Sequence, residues 1–196
     1  MTLQGVWTAS GVFAGKLYST RGPGYGSTPF DPKAVVVQEA GTGTLTFAPD
    51  TQAVRFDFTM GSQIGSKQMV RFSNIPEAYR NGENHRGMWW NASESGWGLT
   101  VQHYFSTMFV AWFTYNPDGS PLWTTLQGTW TGDNTFEGKL YQTKQAPWNP
   151  ANFNPAATQV IEAGTAKLTF TDVNRATFDY TMKGVTGIKL IEKFEF

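Results

Sequence analysis

The feature that most constrains this chain is a self-similarity at a fixed spacing. Leu3-Gln4-Gly5-Val6-Trp7-Thr8 recurs 123 positions on as Leu126-Gln127-Gly128-Thr129-Trp130-Thr131, and Gly15-Lys16-Leu17-Tyr18 recurs as Gly138-Lys139-Leu140-Tyr141. At the same spacing Glu39-Ala40-Gly41-Thr42 and Leu45-Thr46-Phe47 return as Glu162-Ala163-Gly164-Thr165 and Leu168-Thr169-Phe170. One residue is then lost, and Phe56-Asp57-Phe58-Thr59-Met60 returns as Phe178-Asp179-Tyr180-Thr181-Met182. A fixed period of this kind is the signature of a repeated structural unit, and missing it miscalls the fold.

The repeated part alternates apolar and polar residues between turn signals, which is the pattern of half-buried strands. In Arg55-Phe56-Asp57-Phe58-Thr59-Met60 the two phenylalanines and the methionine take one face, Asp57 and Thr59 the other. Five strands are expected at 3–10, 12–19, 42–48, 53–60 and 63–73, with equivalents after 126. The stretch from Gly87 to Thr125 has no counterpart before Leu3 and adds strands near 87–91, 96–105 and 107–116. Pro117-Asp118-Gly119-Ser120 then turns into a strand at 121–131, since Asp-Gly is a strong hairpin signal. Met108 to Tyr115 is apolar on both faces, so this strand is expected to be covered on both sides, between two layers or at an interface.

The expectation is an all-β protein of antiparallel strands, as an up-and-down barrel or a sandwich, built from one partial copy (1–80, five strands) and one complete copy (86–196, about eight strands). The two copies either fold separately or pack as one compact domain. The first copy must share strands, pair with another chain as in a homodimer, or leave an open edge.

Composition agrees with many short strands: glycine 21, phenylalanine 15, tryptophan 8 and tyrosine 7, with charged residues at only 15%. Basic and acidic residues balance at 15 each, so no field steers the chain to nucleic acid or an anionic membrane, and neutral partners are expected. There is no cysteine, hence no disulfide, thiolate metal site or cysteine nucleophile. No apolar run reaches the roughly 20 residues of a membrane helix, and the first residues do not read as a signal peptide.

Candidate chemistry centres on aromatic loops. Trp89, Trp90, Asn91, Glu94 and Trp97 form a platform of flat rings beside an amide and a carboxylate, suited to sugar rings or small planar ligands; the alternative is that the tryptophans plug a barrel end. His103 shares a face with Leu99, Val101 and Phe105 and reads more readily as a structural histidine than as a ligand, the only other histidine being His85 in a polar stretch. The long connection from Arg21 to Pro32 recurs at Lys144 to Pro155, with Tyr25 matched by Trp148 and Phe30 by Phe153, giving either aromatic lids or pins that hold each loop on its sheet. No nucleophile elbow, phosphate loop or metal-ligand spacing is present, so no catalytic residue, metal or cofactor is expected.

Gly87-Met88-Trp89-Trp90-Asn91-Ala92-Ser93-Glu94-Ser95-Gly96-Trp97-Gly98 resembles a repeat of many secreted or surface proteins of Gram-negative bacteria that reads WWNPxESGWG and continues to WFTYDxDG. Here the continuation is Ala111-Trp112-Phe113-Thr114-Tyr115-Asn116 with Asp118-Gly119, and Ala92 stands where proline is usual. The resemblance covers nearly the whole chain and implies an extracytoplasmic β module. Three readings follow: a non-catalytic binding module for a carbohydrate or small apolar ligand, a self-assembling structural module, or an enzyme with a barrel-mouth site around Glu94 and His103.

Overall fold

The computed structural model describes residues 1–49, 53–71, 83–144 and 154–195. Among these, thirteen strands account for nearly all the regular structure: β1 (Thr2–Ala9), β2 (Val12–Arg21), β3 (Val36–Phe47), β4 (Ala53–Met60), β5 (Gln63–Val70), β6 (Gly87–Trp90), β7 (Gly98–Tyr104), β8 (Thr107–Tyr115), β9 (Pro121–Trp130), β10 (Thr135–Lys144), β11 (Gln159–Phe170), β12 (Arg175–Met182) and β13 (Val185–Lys193). They form a five-stranded sheet in the order β1-β2-β3-β4-β5 and a closed eight-stranded barrel in the order β10-β11-β12-β13-β6-β7-β8-β9. The chain divides into two compact units, one holding the sheet and the other holding the barrel together with the loop Arg21–Val35.

Strict alternation makes the barrel. Along β7 and β12 every second residue is buried, so Leu99, Val101, His103, Ala176, Phe178, Tyr180 and Met182 point inward. With Val110, Trp112, Leu126, Phe136, Leu140, Leu168 and Phe170 they fill the interior, as side chains do in a barrel of eight strands. At roughly 25 cal/mol per Å² this aromatic filling is the main favourable term of the fold.

The strand containing residues 36–47 begins earlier than its alternation indicated, and Gly41 explains how the extension is tolerated. Gly41 and its counterpart Gly164 sit at φ +155° and +151°, where a Cβ would lie 1.8 and 1.9 Å from the carbonyl oxygens of Thr59 and Thr181. At the second site the register of β10 against β11 slips by one residue, a bulge that bends the strand. Strand β7 ends one residue short of Phe105, because Phe105 and Ser106 make the two-residue turn into β8, with Phe105 at φ +52°. Phe105 is therefore exposed rather than on the face of Leu99, Val101 and His103.

The doubly apolar strand β8 is covered only in part on its outer side. Met108, Val110, Trp112 and Thr114 are buried inward, and Ala111 and Tyr115 are buried outward, but Phe113 is 50% exposed. Tyr115 is roofed by the loop Arg21–Val35: Tyr25 N donates to its carbonyl at 3.0 Å, and the Tyr115 hydroxyl donates to Gly96 O at 2.7 Å.

Candidate functional site

The segment between β6 and β7 is shaped by Asn91. Its Oδ1 accepts from Ser93 N at 2.9 Å and from Ser93 Oγ at 2.6 Å, capping the 3-10 turn Ala92–Glu94, while its Nδ2 donates to Leu190 O at 3.0 Å. That turn aims Glu94 at Lys189 and Trp97. The carboxylate accepts from Lys189 Nζ at 2.9 and 2.8 Å and from Trp97 Nε1 at 3.1 Å, and both charged side chains are mostly buried. Lys189 also lies 5.8 Å from the Trp97 ring centre. A charge pair removed from water in this way holds only while both partners remain.

The loop Arg21–Val35 closes over this pair. Gly96 makes room for it, since a Cβ there would fall 2.5 Å from Val35 Cγ2. Tyr25 packs edge-on against Trp112 with ring centres 6.3 Å apart, Trp112 lies 4.7 Å from Tyr180, and the Tyr180 hydroxyl donates to Tyr25 O. Burial, and secondarily the Glu94 charge, raise the Tyr180 phenol above its ordinary range, so it stays a donor. Tyr25, Phe30, Trp97, Trp112, Thr114, Tyr180 and Lys189 surround a cavity of about 10 Å³, close to the least that admits one water. Beside it, on paired positions of β8 and β9, Trp112 Nε1 and Thr124 Oγ1 are buried with no hydrogen-bond partner among the described residues.

Of the residues singled out from sequence, Tyr25, Phe30, Glu94 and Trp97 come together at this end of the barrel, with Asn91 supporting the turn. Trp90 is half-buried and packs edge-on against Phe194, 5.0 Å away. Trp148 and Phe153 lie outside the described residues. Trp112, Tyr180 and Lys189 were not among the candidates, although Trp112 and Tyr180 stand at inward positions of alternating strands. Lys189 carries the opposite signal, because in Ile188-Lys189-Leu190 the pattern places the lysine outside.

Trp89 and His103 belong to a second cluster. Glu94 precedes β7 and His103 stands near its far end, roughly 16 Å of strand from Gly98, so the two do not share a site. His103 Nε2 lies 2.8 Å from Phe105 O; a carbonyl only accepts, so this nitrogen carries the proton. His85, in a stretch that reads as polar, is buried: its ring stacks on Phe170 at 3.8 Å and faces His103 at 5.4 Å, and Trp89 Nε1 donates to its carbonyl at 3.0 Å. Desolvation above all, then the nearby His103 and Lys193, lower the His85 pKa to about 4, so this imidazole is neutral at pH 7. Such a stack is a filled core.

A wider groove of about 620 Å³ runs along the outer face of β10–β13, and one of about 360 Å³ occupies the corresponding place on the five-stranded sheet. In the larger, Lys139 and Lys167 are already paired with Glu162 and Asp179 at 2.7 and 3.5 Å, so both lysines have a counter-charge. Among the described residues no group of His, Cys, Asp and Glu is placed to hold a metal ion.

No family model, no curated protein and no solved structure matches this chain.

Proposed function

We propose that the barrel is a non-catalytic binding module for a carbohydrate or small, largely apolar ligand, taken at the end closed by Tyr25, Phe30 and Trp97. The observation that carries this reading is the pair of buried groups Trp112 Nε1 and Thr124 Oγ1 beside this chamber, which have no hydrogen-bond partner among the described residues. A buried donor left unpaired costs about 1–3 kcal/mol, so such groups are expected to meet a polar partner in some state of the protein. The surrounding rings offer flat apolar faces, and the Glu94–Lys189 pair offers one acceptor and one donor at the rim, a combination that suits a ring bearing hydroxyls. The chamber is closed in the structure, so entry requires the loop Arg21–Val35 to swing away.

The resemblance at Gly87–Gly98 supports an extracytoplasmic place for the module in a Gram-negative bacterium, and the recurrence between residues 3–72 and 126–194 supports its origin as a duplicated unit. Isothermal titration with oligosaccharide fragments and small aromatic compounds tests the site. Trp97→Ala is expected to weaken binding at least tenfold, and Trp112→Phe, which keeps the ring but removes the N–H, less. Binding that is indifferent to both would remove the proposed site. A self-assembling role is the second reading, favoured by the open sheet β1–β5.

A further inference from the structure

The sheet β1–β5 and the barrel strands β9–β13 match down to individual contacts. Trp7 meets Phe13 at 5.6 Å and 73° and Phe47 at 5.4 Å and 41°. Trp130 meets Phe136 at 5.6 Å and 71° and Phe170 at 6.0 Å and 37°. Phe56 and Phe58 lie 5.4 Å apart where Phe178 and Tyr180 lie 5.5 Å apart. Lys16 reaches Glu39 and Lys139 reaches Glu162, each at 2.7 Å.

The matched sets differ in what covers them. In the barrel the outer strands of the set, β9 and β13, are paired with β8 and β6, and β7 bridges these two. Their counterparts β1 and β5 each have one neighbouring strand among the described residues. Part of the inward face is consequently core in one set and exposed in the other: Phe170 is 2% exposed and Phe47 40%, while Trp7 is 62% exposed, whereas Leu17 and Phe58 are buried in the sheet as Leu140 and Tyr180 are in the barrel. Met69 is 40% exposed where its counterpart Ile191 is 4%.

We propose that the β1–β5 sheet is a docking surface for a second polypeptide that presents three antiparallel strands of the same chemistry as Gly87–Tyr115. The occupant is identified by the barrel itself, where a segment of that length and pattern covers the matching edges. Five antiparallel strands leave β1 and β5 running in the same direction, so an odd number of strands is needed to close the gap with antiparallel pairing throughout. Three strands give eight, the number whose interior side chains just fill. The segment would carry inward side chains like Trp89, Leu99, Val101, Val110 and Trp112, which cover Trp7, Phe47 and Met69 while its backbone satisfies both edges. Exchange of Gly87–Tyr115 between copies of this chain does not solve the problem, because a segment moved onto one β1–β5 sheet leaves open the β9–β13 set that it came from. The proposal is independent of ligand binding at the barrel end.

The test is hydrogen exchange of the β1 and β5 amides in the intact chain, alone and with residues 86–125 of this protein supplied as a fusion to a soluble carrier. A second arm tethers residues 87–125 directly ahead of Leu3, which reproduces the junction between Thr125 and Leu126 and removes weak affinity as an explanation. Exchange at both edges is expected to slow at least tenfold in both arms, and a segment carrying Val101→Lys and Val110→Lys is expected to have no effect. A response of the tethered chain alone still sustains the surface and its chemistry. Unchanged exchange in the tethered chain overturns the proposal, as does finding the unmodified chain dimeric by sedimentation with both edges already protected, which would make a second copy the occupant.

Discussion

The five-stranded sheet and the barrel strands β9–β13 share stretches of sequence and ring contacts of similar geometry, yet Trp7, Phe47 and Met69 are exposed in the sheet while Phe170 and Ile191 are buried in the barrel. In both, a tryptophan packs edge-on against one phenylalanine and tilted against another. What separates them is the three-strand segment Gly87–Tyr115, which closes the second set and brings His103 against Trp130 at 5.4 Å. The lesson is that alternation determines which residues could be core, whereas closure decides for positions such as Phe47 and Phe170 whether they become core. An aromatic trio gains its full hydrophobic contribution only when both its sides are removed from water.

The largest expected contrast comes from truncating the same position in each set. Phe170→Ala should destabilise the barrel by about 3–5 kcal/mol, the usual cost of emptying a buried aromatic site, while Phe47→Ala should cost about 1 kcal/mol because its ring is already partly wet. Chemical denaturation of the two variants measures both values, and equal losses would mean that the sheet face is covered in solution.

A contrast in pH comes next, since both histidines of the chain lie between β5 and β8, in the barrel unit. The His85 pKa falls from an ordinary 6.5 to about 4 in the fold, so the unfolded chain takes up its proton first as pH drops. Stability from this group is therefore intact above pH 6.5, declines between 6.5 and 4, and levels off below that, by up to about 3 kcal/mol. Among the described residues, Glu83 at 3.4 Å, His103 and Lys193 are charged or titratable groups beside it. Unfolding followed from pH 8 to 4 should show the decline, and His85→Phe should flatten it; a variant that keeps the full slope would assign the effect elsewhere.

Glu94→Gln is expected to destabilise the barrel by about 2 kcal/mol, because Lys189 loses its counter-charge in a mostly desolvated place while the amide oxygen can still accept from Trp97. Thermal unfolding with and without the substitution reads this directly. The smallest effect belongs to the outer faces, where the Lys16–Glu39 and Lys139–Glu162 pairs are half in water. Lys16→Gln and Lys139→Gln should leave the unfolding midpoint unchanged in both sets, and a loss at one alone would show that the two outer surfaces are not equivalent.

The amino-acid sequence by itself determined the strands and their turns, because period-two burial and glycine turns are local properties. Ala176, Phe178, Tyr180 and Met182 point inward as their spacing requires, and Pro117-Asp118-Gly119-Ser120 makes its turn with Gly119 at φ +78°. It also marked Tyr25, Phe30, Glu94 and Trp97, since large aromatics in glycine-rich loops are conspicuous. The tertiary structure alone decided that these four meet, because Tyr25 and Phe30 reach Trp97 across some seventy residues of chain. It also reversed the apparent pattern of β13, where Lys189 faces the chamber and Ile188 and Leu190 face out, 72% and 71% exposed. Gly187 and Ile191 on the same face as Lys189, paired across to Tyr180 and Ala176, set that register, and Glu94 supplies the charge that lets a lysine sit inside. His85 turned inward for a related reason: the flat faces of Phe170 and His103 offer an imidazole more than water does, provided it stays neutral. Hydropathy along a chain records what each residue prefers alone, whereas burial depends on which partners closure places beside it.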